Sequence, residues 1–163
     1  MMTNRIVGAI GSAAMLLCAP ALVAGAQSIV VSIRDPYPAK HREHSVAGDC
    51  ASSRVAIAFS PGEQRGSGVV AVTVRGKTVT FAASERFVRE IFLRPERTIW
   101  GMDLFCEQEP GNPFYLQVQG VSAGTKSENA PRFWTARVDF TGTGALDQYK
   151  GIVEHTYAEF MGD

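Results

Sequence analysis

The sequence predicts a mainly β domain: a β-sandwich or a partly open barrel of seven to nine short strands, with one short helix at about residues 85–93. Three observations support this prediction. Apolar and polar residues alternate with period two over much of the chain, turn residues recur between the alternating segments, and one segment alone has the spacing of an amphipathic helix.

The first 26 residues differ from the rest and predict a secretory signal peptide. A basic start that ends at Arg5 precedes the uncharged apolar run Ile6–Val23, and small residues follow. We expect cleavage between Ala26 and Gln27, which leaves residues 27–163 as a single exported domain, either periplasmic or secreted. Because the apolar run is just long enough to span a bilayer, an uncleaved anchor is the alternative.

Two cysteines, Cys50 and Cys106, follow the predicted leader. An even number of cysteines in an exported chain indicates a disulfide, whereas two separate buried thiols are the alternative. We therefore expect a Cys50–Cys106 disulfide.

Six segments alternate between apolar and polar residues, and each is predicted to be a strand. They are Arg54–Phe59, Val69–Val74, Lys77–Phe81, Thr98–Cys106, Phe114–Gln119 and Arg132–Thr141. Gly76 provides the positive φ that a two-residue hairpin turn requires between the second and third of them. Two less regular segments, Ser28–Ile33 and Tyr149–Phe160, are expected to add a first and a last strand.

The alternation also predicts which side chains face the core. Trp100 shares the face of Cys106, and Val153 and His155 share the face of Tyr149. We therefore expect all five side chains to point inward.

The segment Glu85–Leu93 is predicted to be a short amphipathic helix that ends before Pro95. Its apolar residues recur at one-, three- and four-residue spacings, which places them on one side of a helix. They are Phe87, Val88, Ile91 and Phe92. A bulky strand is the alternative, since Phe, Val and Ile also favour strands.

The charge of the chain excludes two classes of partner. Of the 16 Lys and Arg only Arg5 precedes residue 27, so 15 basic residues face 16 acidic ones in the exported part. Nucleic-acid binding requires an excess of clustered basic residues, and a polybasic membrane patch does too. We therefore expect no nucleic acid as partner and no stable membrane anchor once the leader is removed.

Four arginines surround the predicted helix and are candidate binding residues: Arg86, Arg89, Arg94 and Arg97. Arginine is enriched at protein interfaces and binds carboxylates with paired hydrogen bonds. Glutamates interleave with them, so a solvated helix face with its own ion pairs is the alternative. If the helix binds a partner, replacing Arg86 and Arg89 by Glu should weaken capture.

The longest polar loop, Gly120–Pro131, is the second candidate contact surface, because function concentrates in loops on rigid scaffolds. Its candidate binding residues are Lys126, Glu128 and Asn129.

No catalytic or metal-binding motif stands out. His41 and His44, with Asp49 downstream, could hold a metal only if their segment were helical. The segment follows two prolines, has no apolar face and lacks a third ligand within a motif, so we expect no metal and no cofactor. A nucleophile elbow joins a strand to a helix, and we expect none here, because the G-x-S-x-G sequence Gly120–Gly124 opens the predicted polar loop.

These observations favour a non-catalytic exported domain that binds a protein or glycan partner in the cell envelope. One alternative is a carrier of a small apolar ligand, which predicts that Trp100 and Trp134 are both shielded. A less favoured alternative is a small hydrolase, which predicts two carboxylates across a cleft, one of them with a raised pKa.

Overall fold

The computed structural model describes residues 28–34, 43–50, 53–106, 113–123 and 131–161. These residues form a β-sandwich of two antiparallel sheets with nine strands and two short helices. The predicted fold class is confirmed, and of its two architectures the sandwich is the one observed. The predicted leader and the loop residues Lys126, Glu128 and Asn129 lie outside the described residues.

The first sheet has four strands in sequence order. They are β2 (His44–Cys50), β3 (Ser53–Pro61), β4 (Gly68–Val74) and β5 (Lys77–Ala82). The second sheet has five strands in the order β1-β6-β7-β8-β9. They are β1 (Ser28–Arg34), β6 (Arg97–Cys106), β7 (Phe114–Ser122), β8 (Arg132–Phe140) and β9 (Leu146–His155).

The hairpin between β4 and β5 turns on two residues, Arg75 and Gly76, whose φ angles are 51° and 76°. Two positive φ values identify a type I′ turn, which suits the right-handed twist of the paired strands. This confirms the role predicted for Gly76. By contrast, β2 is not predicted by the sequence, because Val46 is the only large apolar residue between His44 and Asp49.

The short helix is confirmed over Val88–Phe92, where it forms a π-helix. The four apolar side chains that define its predicted face are all buried: Phe87, Val88, Ile91 and Phe92. The Phe92 ring stacks on Phe59 at 4.7 Å between centroids, and the Phe87 ring meets Phe140 edge-on at 6.2 Å. The helix therefore contributes its apolar face to the core shared by both sheets.

Trp100 is an exception to the predicted alternation, because β6 contains a β-bulge there. Ile99 pairs with Gly120 and Gly101 pairs with Gln119, so Trp100 is the extra residue. The bulge leaves Ile99 buried and Trp100 half-buried on the opposite side of the sheet. The prediction that Trp100 shares the inward face of Cys106 is wrong for this reason.

A second bulge changes the last strand. Ala136 pairs with Ile152 and Val138 with Tyr149, so β9 has one residue more than β8 in this stretch. Tyr149 packs against the core as predicted, but Val153 is 55% exposed. The prediction of an inward Val153 is therefore wrong, as is that of an inward His155.

The chain turns into a helix after β9. The helix α1 covers Tyr157–Met161 and replaces the end of the predicted strand. Thr156 and Glu159 form a capping box: the Thr156 amide donates to Glu159 Oε2 at 2.8 Å, and the Glu159 amide donates to Thr156 Oγ1 at 3.3 Å. These reciprocal hydrogen bonds explain why the strand ends there.

Cys50 and Cys106 form the predicted disulfide, with their Cα atoms 5.5 Å apart. Cys50 ends β2 and Cys106 ends β6, so the bond joins the four-stranded sheet to the five-stranded sheet. Both residues are buried.

Candidate functional site

The four predicted arginines lie around the helix, and two of them form ion pairs with glutamates nearby in sequence. Arg86 Nε donates to Glu90 Oε1 at 2.8 Å, and Arg94 lies 3.7 Å from Glu96. More than half of each arginine side chain is exposed. Such exposed pairs typically contribute little to stability.

The other two arginines bind backbone carbonyls. Arg89 Nη1 donates to the carbonyl oxygen of Ser84 at 3.2 Å, and Arg97 Nη1 donates to that of Glu90 at 2.9 Å. Arg97 is half-buried, so it stabilises the helix rather than presenting its guanidinium to a partner. The structure thus gives each of the four arginines a contact within the chain.

Glu90 lies at the centre of this cluster. It accepts a hydrogen bond from the Tyr149 hydroxyl at 2.9 Å in addition to the one from Arg86. Burial alone would raise the pKa of the Glu90 carboxyl, but the bonds from Arg86 and Tyr149 outweigh it and lower this pKa. Burial and the bond to Glu90 both raise the pKa of the Tyr149 hydroxyl. The cluster therefore fastens the helix to β9.

A different surface has the composition of a binding site: the side of the five-stranded sheet that points away from the core. We call it the outer face. Strand pairing brings its side chains into rows, in which Gln117 lies opposite Asp103 and Arg137, and Gln119 lies opposite Thr135.

One end of the outer face carries a three-layer stack. The rings of Phe105 and Tyr115 are parallel to within 8° at 4.6 Å between centroids, and the Arg137 guanidinium lies 3.7 Å from the Tyr115 ring centroid. Asp139 Oδ1 accepts a 2.7 Å hydrogen bond from Arg137 Nε, which fixes the guanidinium in place. An open cleft of about 240 Å³ lies beside this stack, next to Asp147.

The other end of the outer face carries an aromatic cluster. Phe160 of α1 stacks on Phe133 at 4.8 Å and lies 5.8 Å from Trp100, measured between ring centroids. His155 Nε2 lies 2.9 Å from Thr135 Oγ1, within hydrogen-bond distance. The bulge at Trp100 and the turn into α1 are what bring these side chains together.

An open cleft of about 490 Å³ lies next to this cluster, and we call it the amide cleft. Its lining combines two aromatic rings, two side-chain amides, a hydroxyl, an imidazole and one carboxylate. The lining residues are Trp100, Gln117, Gln119, Thr135, His155, Glu159 and Phe160.

Gln119 is held by a buried acid at the edge of this cleft. Its Nε2 donates to Asp103 Oδ2 at 3.3 Å, and Asp103 is only 2% exposed. Since an amide has its donor and its acceptor on opposite atoms, this hydrogen bond sets the orientation of the whole group.

The outer side of the four-stranded sheet is different in kind. In the described part of that sheet, most outward side chains are small or short, Arg54 and Val69 being larger exceptions, and none is aromatic. They include Ala56, Ala58, Ala71, Thr73, Thr78 and Thr80. The contrast within one molecule shows that aromatic rings are not a general property of its surfaces.

Catalytic and metal chemistry receive no support from these side chains. The described residues contain no group of three or more His, Cys, Asp or Glu placed to hold a metal ion, and His41 lies outside them. Glu154 is paired with Arg132 at 3.2 Å, and hydrogen bonds from Thr156 lower the pKa of the Glu159 carboxyl. A lowered pKa is opposite to the raised one that the hydrolase hypothesis requires.

The hypothesis of an apolar-ligand carrier predicts two shielded tryptophans, and only one of them is fully buried. Trp134 is completely buried, as that hypothesis requires, but Trp100 is half-buried on the outer face. The inward side chains of the two sheets pack into one cluster, which occupies the space between them.

The sequence contains one indication of the outer face that the sequence analysis did not use: two aromatic residues at positions predicted to face solvent. Phe105 and Tyr115 occupy positions that the pattern assigns to the solvent side of their strands. Two large rings at such positions are unusual for a surface that only faces water.

None of the helices in the described ranges is long and apolar enough to cross a membrane. The sequence matches no protein-family model, and neither a curated protein nor a solved structure shows significant similarity to it.

Proposed function

We propose that this protein is an exported, non-catalytic binding domain, periplasmic or secreted, that captures a protein or glycan partner through its outer face. The observation that carries the proposal is the row of aromatic, amide and arginine side chains on the solvent side of the five-stranded sheet. Tyr, Trp, Phe and Arg are the residues that binding surfaces enrich.

Export is supported by the leader sequence and by the disulfide. The chain begins with a basic, then apolar, then small-residue pattern, and disulfides persist in oxidising compartments. A disulfide-stapled sandwich is also a rigid scaffold, so ordering the binding surface requires little further loss of entropy.

Binding of solubilised envelope material to the purified protein tests this proposal. We compare the wild type with Tyr115→Ala, which removes the centre of the aromatic stack. The matched control is Thr80→Ala on the outer side of the four-stranded sheet, where the side chain is exposed. We expect Tyr115→Ala to reduce captured material by about tenfold, in line with the truncation of an aromatic hot spot, and Thr80→Ala to leave it unchanged.

The same assay also tests the alternative binding surface, the short helix Val88–Phe92 with the arginines around it. Arg89→Glu reverses an exposed charge on the helix. If Arg89→Glu abolishes capture while Tyr115→Ala retains it, the partner binds the helix and the assignment to the outer face is wrong.

A further inference from the structure

We infer that the amide cleft binds an uncharged oligosaccharide, an inference that rests on the proposed function and names the class of its ligand. Three properties of the cleft carry it: its aromatic rings, its paired amides and its charge.

The aromatic rings provide flat apolar surfaces at one side of the cleft. Trp100 and Phe160 are both half-buried and both line it. A sugar ring has an apolar C–H face and a polar rim, so it can place the face on an aromatic ring while its hydroxyls stay at the edge. Phe133 stacks beneath Phe160 and keeps that ring in place.

The polar groups match hydroxyls, which both donate and accept hydrogen bonds. Gln117 and Gln119 are two residues apart on β7, so they point to the same side at a spacing of about 7 Å along the strand. Both amides carry donors and acceptors, of which Gln119 Nε2 already donates to Asp103. Thr135 and His155 carry groups of both kinds and lie within hydrogen-bond distance of each other. A small number of convergent polar groups beside apolar surface is typical of small-molecule sites.

The charge of the lining favours a neutral ligand. Glu159 is the one carboxylate among the described lining residues, and hydrogen bonds from Thr156 lower its pKa, which keeps it ionised at neutral pH. The part of the lining that the structure describes contains no Lys or Arg. Arg137, which lies opposite Gln117 in the sheet, is engaged by Asp139 and Tyr115. Among the described lining residues, a phosphate or uronate would therefore meet a like charge at Glu159 and no Lys or Arg.

Calorimetric titration with defined oligosaccharides tests the inference. The neutral probes are maltohexaose, cellohexaose and chitohexaose, and the anionic probe is a galacturonate hexamer. We expect at least one neutral probe to bind and the anionic probe not to bind. Trp100→Ala should weaken the neutral binding by about tenfold, the effect of losing about 1.4 kcal/mol of aromatic contact.

Two further variants separate a loss of binding contacts from misfolding of the Trp100→Ala variant. Gln117→Ala removes a half-buried amide without touching the core and should also weaken binding, whereas Thr80→Ala on the other sheet should not. Binding by wild type that both Trp100→Ala and Gln117→Ala retain would place the sugar elsewhere and overturn the inference.

The outcomes separate this inference from the proposed function. The inference of a neutral oligosaccharide is wrong if none of the three neutral probes binds, or if the galacturonate binds more tightly than they do. The proposed binding function still stands in that case if capture of envelope material persists and depends on Tyr115. Such a result would point to a protein partner. If neither the probes nor envelope material bind, both proposals fail.

Discussion

Glu90 of the short helix makes three separate contacts, two of which reach the five-stranded sheet. Its carboxylate receives hydrogen bonds from Arg86 and Tyr149, and its carbonyl oxygen receives one from Arg97. The Glu90 side chain is 21% exposed, so these bonds lie at the boundary between core and solvent. Hydrogen bonds to a charged group in such a position are stronger than those between neutral groups.

This cluster predicts a pH-dependent contribution to stability. The folded state lowers the pKa of Glu90 below its unfolded value of about 4.3. The stabilisation is therefore fully present above about pH 5 and is lost as the pH falls through the folded pKa. Glu90→Gln should cost about 1 kcal/mol at pH 7, and the difference from wild type should shrink toward pH 3.

Chemical denaturation of both proteins across that pH range measures the difference. Tyr149→Phe should also be destabilising, because it leaves Glu90 with one hydrogen bond fewer. A difference between wild type and Glu90→Gln that stays constant from pH 7 to pH 3 would contradict the assigned ionisation.

Gly120 allows a close approach between β7 and the core residue Trp134. A Cβ atom at this position would collide with the Thr98 carbonyl oxygen and with the Trp134 ring. Gly120→Ala should therefore lower the free energy of unfolding by about 1–3 kcal/mol, the usual cost of overpacking.

Denaturant unfolding measures this cost, with Thr80→Ala as a surface control expected to fall within about 0.5 kcal/mol of wild type. If Gly120→Ala has the stability of the control, Trp134 does not pack against β7 as described.

At the scale of elements, the sequence predicts strands well where alternation is unbroken. In β3, β4 and β8, side chains alternate between buried and more exposed positions along the strand, as the pattern requires. The bulges in β6 and β9 have no such local signal. Each bulge adds one residue to its strand, so the side chains on one side of the bulge point to the opposite face of the sheet from the one that the alternation predicts. For this reason Trp100 and His155 belong to the outer face.

The disulfide acts as a staple between β2 and β6, and hence between the two sheets. Its sequence separation of 56 residues predicts that the bond stabilises the domain by about 4 kcal/mol at most, through restriction of the unfolded chain. The double variant Cys50→Ala/Cys106→Ala should thus unfold at markedly lower denaturant concentration. A double variant as stable as oxidised wild type would contradict this role.

Helix α1 is too short to be stable by itself, and the structure anchors it through the Phe160 ring. Phe160→Ala should release it, so that amide hydrogens in Tyr157–Met161 exchange faster while those of β8 stay protected. Hydrogen exchange followed by mass spectrometry measures both segments. Unchanged protection of Tyr157–Met161 would show that the capping box alone holds the helix.

At the scale of the whole molecule, the two outer sides of the sandwich differ in what they can bind. The four-stranded sheet presents mainly alanine and threonine, whereas the five-stranded sheet presents stacked rings, amides and an arginine. The sequence predicts a sandwich or a partly open barrel but not this surface, because the amide cleft combines residues from β6, β7, β8, β9 and α1. Which strands become neighbours depends on long-range pairing. The alternation within a single strand does not indicate its partner strands.

The measurement that tests the central claim most directly is an NMR titration of the isotopically labelled exported protein with soluble envelope extract. The account predicts amide shifts on the outer face, at residues such as Trp100, Tyr115 and Gln117, with β3 and β4 unaffected. Shifts confined to residues 86–97 or to the four-stranded sheet, or no shifts at all, would contradict it.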